Sequence, residues 1–349
     1  MIRKVKFRYD LLDYKDQYKG ELKVIKASVG MNSLAQIKRT GSFTIIEDKE
    51  LDVDYLNDRI CPFMLEEING EWVESPLGVY LMPSPSRYTK NDVIYRDIQA
   101  YDTTQILKED KFRRRMYYKK GMKYTEVVTQ IIHSANVYKT KVTNSESVLN
   151  RDREFEPGMS KIDVVNELLK EINYTSIYTD ELGFFVAKPY VLPSIRDIEL
   201  SYKNDEISEI IADTYKDEID IFNVPNVWIA TASNAEGLNL RSEYENSDPA
   251  SVLSTYYRKR SIVQKLEGND IADQASLDNY VKRIANNTST QYQKAVFETL
   301  KKSNHGYSNV LYLEHDKLAV QGKYIETAWS MDLSVEGTMR HEARKVINI

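Results

Sequence analysis

Residues 33–45 read SLAQIKRTGSFTI, and residues 52–60 read DVDYLNDRI. Gly41 interrupts the longer strand-like run of residues 34–47. A glycine inside a strand often marks a β-bulge or a close approach by another part of the chain. Ahead of these stretches, the apolar side chains of residues 5–9 alternate with cations, and this period of two predicts a strand with one buried face. The chain is therefore predicted to begin with β-strands.

Two dipeptides that favour tight turns divide the next part of the chain. Asn69-Gly70 separates two strand-like runs, and both residues tolerate the positive φ that a type I′ hairpin turn requires. Asn91-Asp92 is predicted to form a second turn. Short antiparallel strands at this spacing predict a small β-barrel or sandwich over residues 1–103.

Beyond residue 103 the hydrophobic period changes from two to the roughly 3.6 residues of a helix. Ser160 is predicted as the N-cap of the second helix, although Asp163 stands where a capping box would have Glu or Gln. Residues 174–189 are predicted to form a hairpin, and residues 104–200 an α+β domain. The two helical stripes are Tyr124, Val127, Val128, Ile131, Ile132 and Ala135, and Ile162, Val165, Leu168, Leu169 and Ile172.

A second β-barrel section is predicted over residues 201–240 plus 305–349, split by a helix-containing insertion over residues 241–304. Within the first piece, Pro225 lacks the amide hydrogen of a ladder bond and predicts an edge or an interruption. Two β-sections of similar size would thus flank mixed α+β material. The predicted class is α+β and β-rich.

Two patterns in this region predict particular elements. The apolar residues from Leu277 onward have helical spacing, which predicts a helix that continues through Leu300. In residues 325–335 the apolar side chains alternate with polar ones, which predicts a strand with Glu326 on the polar face.

Length and composition exclude several classes of protein. A chain of 349 residues has room for two or three domains, and 42% apolar with 29% charged residues is typical of a folded soluble protein. No run approaches the roughly 18 apolar residues that cross a bilayer, so no membrane span is expected. The N-terminus lacks the apolar segment of a secretion signal, which predicts folding in a cytoplasm.

Charge, cysteine and tyrosine content narrow the function further. The net charge of -5 argues against a dedicated nucleic-acid binder, because such proteins neutralise phosphates with Lys and Arg. Cys61 is the only cysteine, which excludes an intrachain disulfide and disfavours a structural zinc site. The 25 tyrosines indicate assembly, since tyrosine is enriched at protein interfaces.

No residue pattern predicts a catalytic, cofactor or metal site. The sequence lacks a nucleophile elbow, a Walker-type phosphate loop and a dinucleotide-binding fingerprint. Cys61 is interpreted as a buried cysteine and His133 as a histidine packed on a helix. Residues 314–316 are interpreted as a turn. The remaining candidates considered, none at metal-ligand spacing with a partner or otherwise diagnostic, are His305, His315, His341, Glu66, Glu67, Glu314 and Asp316.

The runs at residues 111–120 and 256–260 mix cations with aromatic residues. Such a composition is typical of a surface for nucleic acid or for an acidic protein. A solvated face is the favoured interpretation, an acidic protein partner comes second, and nucleic acid stays open as the least favoured. Neither run decides the function.

The opening stretches resemble a family of known proteins. Residues 33–45 and 52–60, followed by GEWVESPLGVYL at residues 70–81 and Tyr101-Asp102, look like the start of tail hub proteins from phages and prophages of Gram-positive bacteria. The segment FNVPNV at residues 222–227 and the C-terminal strands fit the same family further along the chain.

This resemblance implies an architecture and a set of partners. Two similar β-barrels per chain, the second split by an insertion, would form a homotrimeric ring with pseudo-sixfold symmetry. That ring would join the hexameric tail tube, or a distal tail ring protein, to a trimeric spike or fibre, with the tape-measure protein as a further possible partner. The resemblance also implies a virion tail tip or baseplate location after assembly in the host cytoplasm, and no cofactor.

Two other functions are considered beside the hub. A receptor-binding or carbohydrate-binding tail module would need an exposed aromatic platform. A cell-wall hydrolase would need paired carboxylates or a His/Cys site in a cleft. Tyrosines suit both a subunit interface and an exposed binding platform, so tyrosine content does not separate the hub from the binding module. Oligomeric state does.

Overall fold

Strands carry most of the fold, which confirms the β-rich α+β class. The structure, a computed structural model, describes all residues except 1–3, 84, 205–208, 212, 221, 223, 234–238, 270, 272, 273 and 348. Asn223 of the predicted family segment 222–227 and the first three residues of the N-terminus therefore lie outside the described residues. None of the described helices is long and apolar enough to span a membrane.

The strands and helices alternate in sections along the chain. The helices are α1 (Gln105–Glu109), α2 (Tyr124–His133), α3 (Lys161–Glu171), α4 (Thr255–Arg258) and α5 (Gln274–Ser289). The strands are β1 (Val5–Leu12), β2 (Tyr18–Glu21), β3 (Lys23–Asn32), β4 (Arg39–Ile46), β5 (Arg59–Ile68), β6 (Glu71–Pro76), β7 (Tyr80–Leu81), β8 (Ser86–Lys90), β9 (Val93–Asp102), β10 (Met116–Tyr118), β11 (Thr140–Val142), β12 (Arg153–Phe155), β13 (Tyr178–Thr179), β14 (Phe185–Ala187), β15 (Leu200–Lys203), β16 (Lys216–Ile219), β17 (Val227–Ser233), β18 (Asn239–Glu245), β19 (Val263–Asn269), β20 (Gln293–Thr299), β21 (Val310–His315), β22 (Val320–Asp332) and β23 (Met339–Lys345).

Both predicted hairpin turns are confirmed. Asn69 and Gly70, with φ of 54° and 89°, connect β5 to β6, and Asn91 and Asp92, with φ of 51° and 60°, connect β8 to β9. Positive φ at both central residues gives the turn a twist that matches the strands it joins. Local turn chemistry therefore sets the strand register here.

Gly41 marks a close approach and not a bulge. The pairing of β3 with β4 continues without a register shift at this position. A Cβ on Gly41 would lie only 2.6 Å from Cε2 of Phe43, whose buried ring covers the glycine on the same face of the strand. The missing side chain makes room for a core aromatic.

One continuous 15-stranded sheet contains the strands of both predicted β-sections except β17 and β18. Its main order is β16-β20-β23-β22-β3-β4-β9-β7-β5-β1-β2, with β15, β21, β6 and β8 attached at the side. The antiparallel pair of β22 with β3, from Ala328↔Asn32 to Asp332↔Ser28, joins the C-terminal strands to the N-terminal ones. We call this pair the seam.

The middle section packs its helices around a separate hydrophobic core that includes the two predicted stripes. The predicted hairpin at residues 174–189 is present as β13 and β14, with Gly183 at φ 82° in the turn. Ser160 precedes α3, but its hydroxyl makes no capping bond with the helix and instead lies 3.3 Å from the carbonyl oxygen of Lys108. The predicted N-cap position is therefore confirmed, but the hydroxyl of Ser160 connects α3 to the end of α1 and does not cap the helix.

The predicted continuation of the helix through Leu300 is also wrong. Helix α5 ends at Ser289, and residues 293–299 form β20, which pairs with β16 and β23. Every second residue of β20 is buried, so the segment follows a period of two. Packing of Ala295 and Phe297 in the second β-section outweighs the helical spacing of the apolar residues before them.

Strands β17, β18 and β19 form a separate sheet that packs against α5. The Trp228 side chain is fully buried between them, and its Nε1 donates a hydrogen bond to Thr288 Oγ1 at 2.9 Å. The predicted domain boundaries themselves stay a prediction.

Candidate functional site

Three of the four histidines lie in the second β-section, and the fourth lies apart from them. His133 is the last residue of α2 and packs half-buried against the Tyr138 ring, with the ring centroids 5.2 Å apart. His315 ends β21 beside Asn204, just before a short turn over Asp316–Leu318. The turn predicted at residues 314–316 is wrong for Glu314 and His315, which pair with β22 as the end of β21, and the turn begins only at Asp316. Neither histidine faces a partner set suited to catalysis in the described part of the chain.

His305 and His341 meet at a buried carboxylate that the sequence did not single out. Nδ1 of His305 donates to Oε2 of Glu326, and Nδ1 of His341 donates to Oε1, each at 2.7 Å. Tyr202 donates its hydroxyl to Nε2 of His305 at 2.5 Å, and Thr299 Oγ1 lies 2.8 Å from Nε2 of His341. We call His305, Glu326, His341, Tyr202 and Thr299 the histidine–glutamate cluster.

A β-bulge explains how Glu326 enters the core. The pairing of β22 with β23 shifts register between Glu326 and Ala328, so that Thr327 is an extra residue. An extra residue moves all later side chains to the opposite face of the strand. Glu326 therefore faces inward above the bulge, as Trp329 does below it, and the prediction of Glu326 on a polar face is wrong.

Burial and hydrogen bonding act on this cluster in opposite directions. Burial disfavours the charge of Glu326, but the two histidines outweigh that cost and hold the pKa of Glu326 below its usual value. Burial lowers the pKa of His341, although Glu326 opposes this effect. The His341 ring is therefore neutral at pH 7, and its Nε2 faces the hydroxyl of Thr299, which also donates to the carbonyl oxygen of Leu300 at 2.9 Å.

The donor set resembles that of a divalent metal site, since His and carboxylate groups are common zinc ligands. Both Nδ1 atoms, however, already donate to Glu326, and both Nε2 atoms have hydroxyl partners. Every ring nitrogen is thus satisfied without an ion. The arrangement is suited to connecting five chain segments in the core.

We predict that this cluster makes the protein less stable at acidic pH. His341, with its lowered pKa, contributes stability in full above the unfolded value of about 6.5, and this contribution is lost as the pH falls towards the folded value. Glu326 contributes above its unfolded value of about 4.3 and loses that contribution as the pH falls through its lower folded value. Urea unfolding at pH 7, 6 and 5 measures the slope.

Two substitutions test the origin of that slope. His341→Gln removes one titrating group and should flatten the loss of unfolding free energy between pH 7 and pH 5. His133→Gln changes a half-buried histidine outside the cluster and should leave the slope unchanged. Equal slopes in the wild type and both variants would contradict the assignment.

The other chemical candidates are also accounted for by packing. Cys61 is buried in β5, and burial raises the pKa of its thiol to about 12, so the thiol stays protonated at neutral pH. Glu66 and Glu67 lie at the end of the same strand, where Glu67 forms an ion pair with Lys4 at 2.6 Å. The predicted burial of Cys61 is confirmed.

The basic-aromatic run at residues 111–120 divides between core and surface. Phe112 and Tyr118 are buried, whereas the Tyr117 side chain is 63% exposed. Arg115 forms ion pairs with Glu154 and Glu156, each at 2.7 Å. Acidic neighbours from the same chain therefore neutralise part of this run.

The second run, residues 256–260, leaves two adjacent tyrosines on the surface. Tyr256 and Tyr257 are 57% and 61% exposed, and the ammonium of Lys259 lies 4.2 Å from the centroid of the Tyr256 ring. Arg258 donates to the carbonyl oxygen of Val224 at 2.7 Å. The exposed rings provide area for a partner, while the arginine supports the local backbone.

Comparison with solved structures identifies the fold. The tail protein from Neisseria meningitidis MC58 is similar at a TM-score of 0.69 and 11% identity, covering 97% of this chain and 96% of that chain. The prophage tail protein gp18 from Listeria monocytogenes EGD-e has a TM-score of 0.59 and 11% identity over 97% of this chain and 94% of its own.

A third similar structure comes from a secretion machine. It is an E. coli component of the type VI secretion system that exhibits structural similarity to the T4 bacteriophage tail proteins gp27 and gp5, with a TM-score of 0.51 and 11% identity over 98% of this chain and 76% of that one. No family model matches the sequence, and no curated protein is a significant match. The chain therefore shares the fold of phage and prophage tail proteins over nearly its whole length.

Proposed function

We propose that this chain is a structural subunit of a bacteriophage or phage-like tail and acts as the hub of its tip or baseplate. The observation that carries the proposal is the shared fold with tail proteins along nearly the full length of both chains. A fold alone hosts many functions, so the proposal needs a direct test of assembly.

In this proposal three copies form a ring. Each chain contributes two β-sections, so that six sections meet a hexameric tail tube or distal tail ring on one side, and the threefold axis meets a trimeric spike or fibre on the other. The seam between β3 and β22 supports this role, because one continuous sheet holds the two sections of a chain in a fixed relation. Closed symmetry lets such subunits form a stable assembly.

The exposed aromatic surface supports assembly as well. Tyrosine combines a large contact area with a polar end, which suits surfaces that are wet before they bind. Several tyrosines from different sections keep more than half of their surface exposed. They are Tyr14, Tyr18, Tyr117, Tyr138, Tyr256 and Tyr257.

The proposal extends to the domain division, partners and location. The first hub section is residues 1–103, and the second is residues 201–240 plus 305–349. To the second we add residues 293–299 because β20 pairs with β23, and we assign β17 to the insertion because it pairs with β18 and β19. The tape-measure protein is a further proposed partner. Assembly would take place in the host cytoplasm, and the mature protein would lie at the virion tail tip.

We further propose a structural and not a catalytic role. The buried cluster around Glu326 has a partner for each histidine nitrogen and lies away from solvent, which supports a packing function. A receptor-binding or carbohydrate-binding module is the alternative, favoured by the adjacent exposed rings of Tyr256 and Tyr257. A cell-wall hydrolase is a third, less favoured candidate function.

The proposal predicts a trimer in solution, or one that forms with a partner. Light scattering on the purified full chain would give its absolute mass, alone and mixed with the tube and spike proteins of the same tail. We expect three copies per particle, and electron micrographs of these particles should show a ring with six lobes.

A different result would favour one of the alternatives. A chain that stays monomeric with every tail protein, yet binds or cleaves isolated cell wall, would overturn the hub. A ring that forms but also binds glycans would leave the hub intact and add the second function.

A further inference from the structure

A cleft of about 460 Å³ lies where the sections of the chain meet. The segment between β3 and β4 lines one side, the residues after β14 line another, and α5, β22 and β23 complete the wall. Tyr190 closes part of the cleft by donating its hydroxyl to Asn287 Oδ1 at 2.9 Å. A ligand bound here would contact segments from the first β-section, the middle section, α5 and the second β-section.

The cleft is lined by cations without matching anions. Its charged lining residues are Lys38, Lys188, Arg196, Arg283 and Arg344, and none of the described residues that line it is Asp or Glu. The whole chain carries a net charge of -5. The charge of the cleft lining is therefore opposite in sign to the net charge of the whole protein.

Few of these cations are neutralised by the chain itself. Arg196 has an ion pair with Glu199. Lys38 donates instead to the carbonyl oxygens of Ser33 and Ala35, and Arg283 donates to that of Tyr174 at 2.6 Å. Carbonyl groups satisfy hydrogen bonds but do not cancel the charge.

The other two cations form no ion pair within the described part of the chain. Neither Lys188 nor Arg344 takes part in an ion pair there. Glu342 acts on Arg344, but this carboxylate is already paired with Lys294 at 2.8 Å and with Arg340 at 3.0 Å. Two cationic groups of the cleft are thus open to an added anion.

Burial is the main influence on the pKa values of these cations. It lowers the pKa of Lys38 to about 8, an effect that the charge of Asp102 opposes and that of Arg283 increases. Burial likewise lowers the pKa of Arg283 and of Arg344. A bound anion would reverse these shifts, because an opposite charge favours the protonated form.

We infer that this cleft binds a short acidic segment of a partner protein. Carboxylate side chains of that segment would face Arg344 and Lys188, and its apolar side chains would pack on Leu34, Val191 and Ile325, which also line the cleft. The planar guanidinium of Arg344 suits a bidentate carboxylate contact. The inference does not depend on the trimeric ring.

The size and lining of the cleft favour a peptide over a nucleic acid. A nucleic acid extends far beyond a cleft of this size, so it would meet the net negative charge of the remaining surface. A peptide of a few residues experiences mainly the local field. The apolar lining also matches a peptide with mixed side chains better than a phosphate backbone.

Binding of a labelled peptide to the full chain tests the inference. The probe is a fluorescent eight-residue peptide that alternates Asp or Glu with Leu, and its control carries Asn and Gln at the acidic positions. Fluorescence anisotropy should show binding of the acidic peptide that weakens between 50 mM and 500 mM salt, and at least about tenfold weaker binding of the amide control.

Paired variants place the binding in the cleft. Lys188→Gln and Arg344→Gln should each weaken binding of the acidic peptide about fivefold or more. The double variant Lys119→Gln, Lys120→Gln removes exposed cations of the run at residues 111–120 and should change binding less than twofold. Lys188 is exposed, so its variant stays informative even if Arg344→Gln fails to fold.

Three outcomes would overturn the inference. They are equal binding of the acidic and amide peptides, unchanged binding by a folded Lys188→Gln variant, and displacement of the peptide by a single-stranded oligonucleotide at lower concentration than by unlabelled peptide. The last result would assign the cleft to nucleic acid. Light scattering on the same samples reports the oligomeric state separately, so failure of the hub and failure of the cleft are distinguishable.

Discussion

Glu326→Ala is expected to lower the free energy of unfolding by about 3–5 kcal/mol, because it removes the common acceptor of two buried histidines. Nδ1 of His305 and Nδ1 of His341 each lose a 2.7 Å hydrogen bond, and both rings are fully buried. The truncated side chain also leaves a cavity at a site where Glu326 is only 1% exposed. Urea denaturation at pH 7 measures the loss.

Two further variants separate this effect from a general intolerance of the sheet. Glu314→Ala removes a surface glutamate of β21, paired with Lys203 at 3.2 Å, and should cost less than about 1 kcal/mol. Glu326→Gln keeps the shape and one acceptor, and should fall between the two. If Glu326→Ala and Glu314→Ala cost the same, the cluster has no net role in stability.

The Glu326→Ala substitution should also affect the seam. Glu326 lies in β22 two residues before Ala328, the first residue of that strand to pair with β3. Loss of the cluster loosens the bulge that sets which side chains of β22 face the core. The Glu326→Ala variant should therefore form fewer rings at a given protein concentration, if the chain assembles as proposed.

Features that depend on neighbouring residues alone were predictable from the sequence. The turns at Asn69-Gly70 and Asn91-Asp92 follow from the positive φ that these residue types accept, whatever the rest of the chain does. The two apolar stripes of α2 and α3 follow from the 3.6-residue period. Each prediction needed a window of only a few residues.

Features that depend on distant residues were not predictable from the sequence. Thr327 has no property that identifies it as the extra residue of a bulge, and that residue alone decides which face Glu326 takes. The strand at residues 293–299 directly follows a helix, so a continuous apolar pattern masked the change of period. The alternating burial of Ala295 and Phe297 became visible only in the fold.

The cationic lining of the cleft was likewise not predictable from the sequence. Sequence composition draws attention to residues 111–120, where cations are adjacent, and acidic neighbours neutralise part of that run in the fold. Lys38, Lys188 and Arg344 are far apart in the chain and become neighbours only through the junction of its sections. Spacing in sequence carried no sign of this group.

The second large effect is expected in the middle section, at the buried pair of Arg153 and Glu171. Nη1 of Arg153 lies 2.6 Å and 2.9 Å from the two carboxylate oxygens, and Tyr124 donates its hydroxyl to the same carboxylate at 2.7 Å. Burial raises the pKa of Glu171, although Arg153 opposes this effect. Glu171→Leu leaves the buried Arg153 with only its ion pair to the exposed Glu167, and we expect a loss of about 3–5 kcal/mol.

A double variant distinguishes charge pairing from packing at this site. Arg153→Met together with Glu171→Leu removes both charges and keeps apolar volume, so it should recover at least half of the loss caused by Glu171→Leu alone. Tyr124→Phe removes one hydrogen bond and should cost about 0.5–1.5 kcal/mol. Should the double variant be as unstable as the sum of its single variants, the pair does not interact energetically, and the shape of the side chains is what the core of α2 and α3 requires.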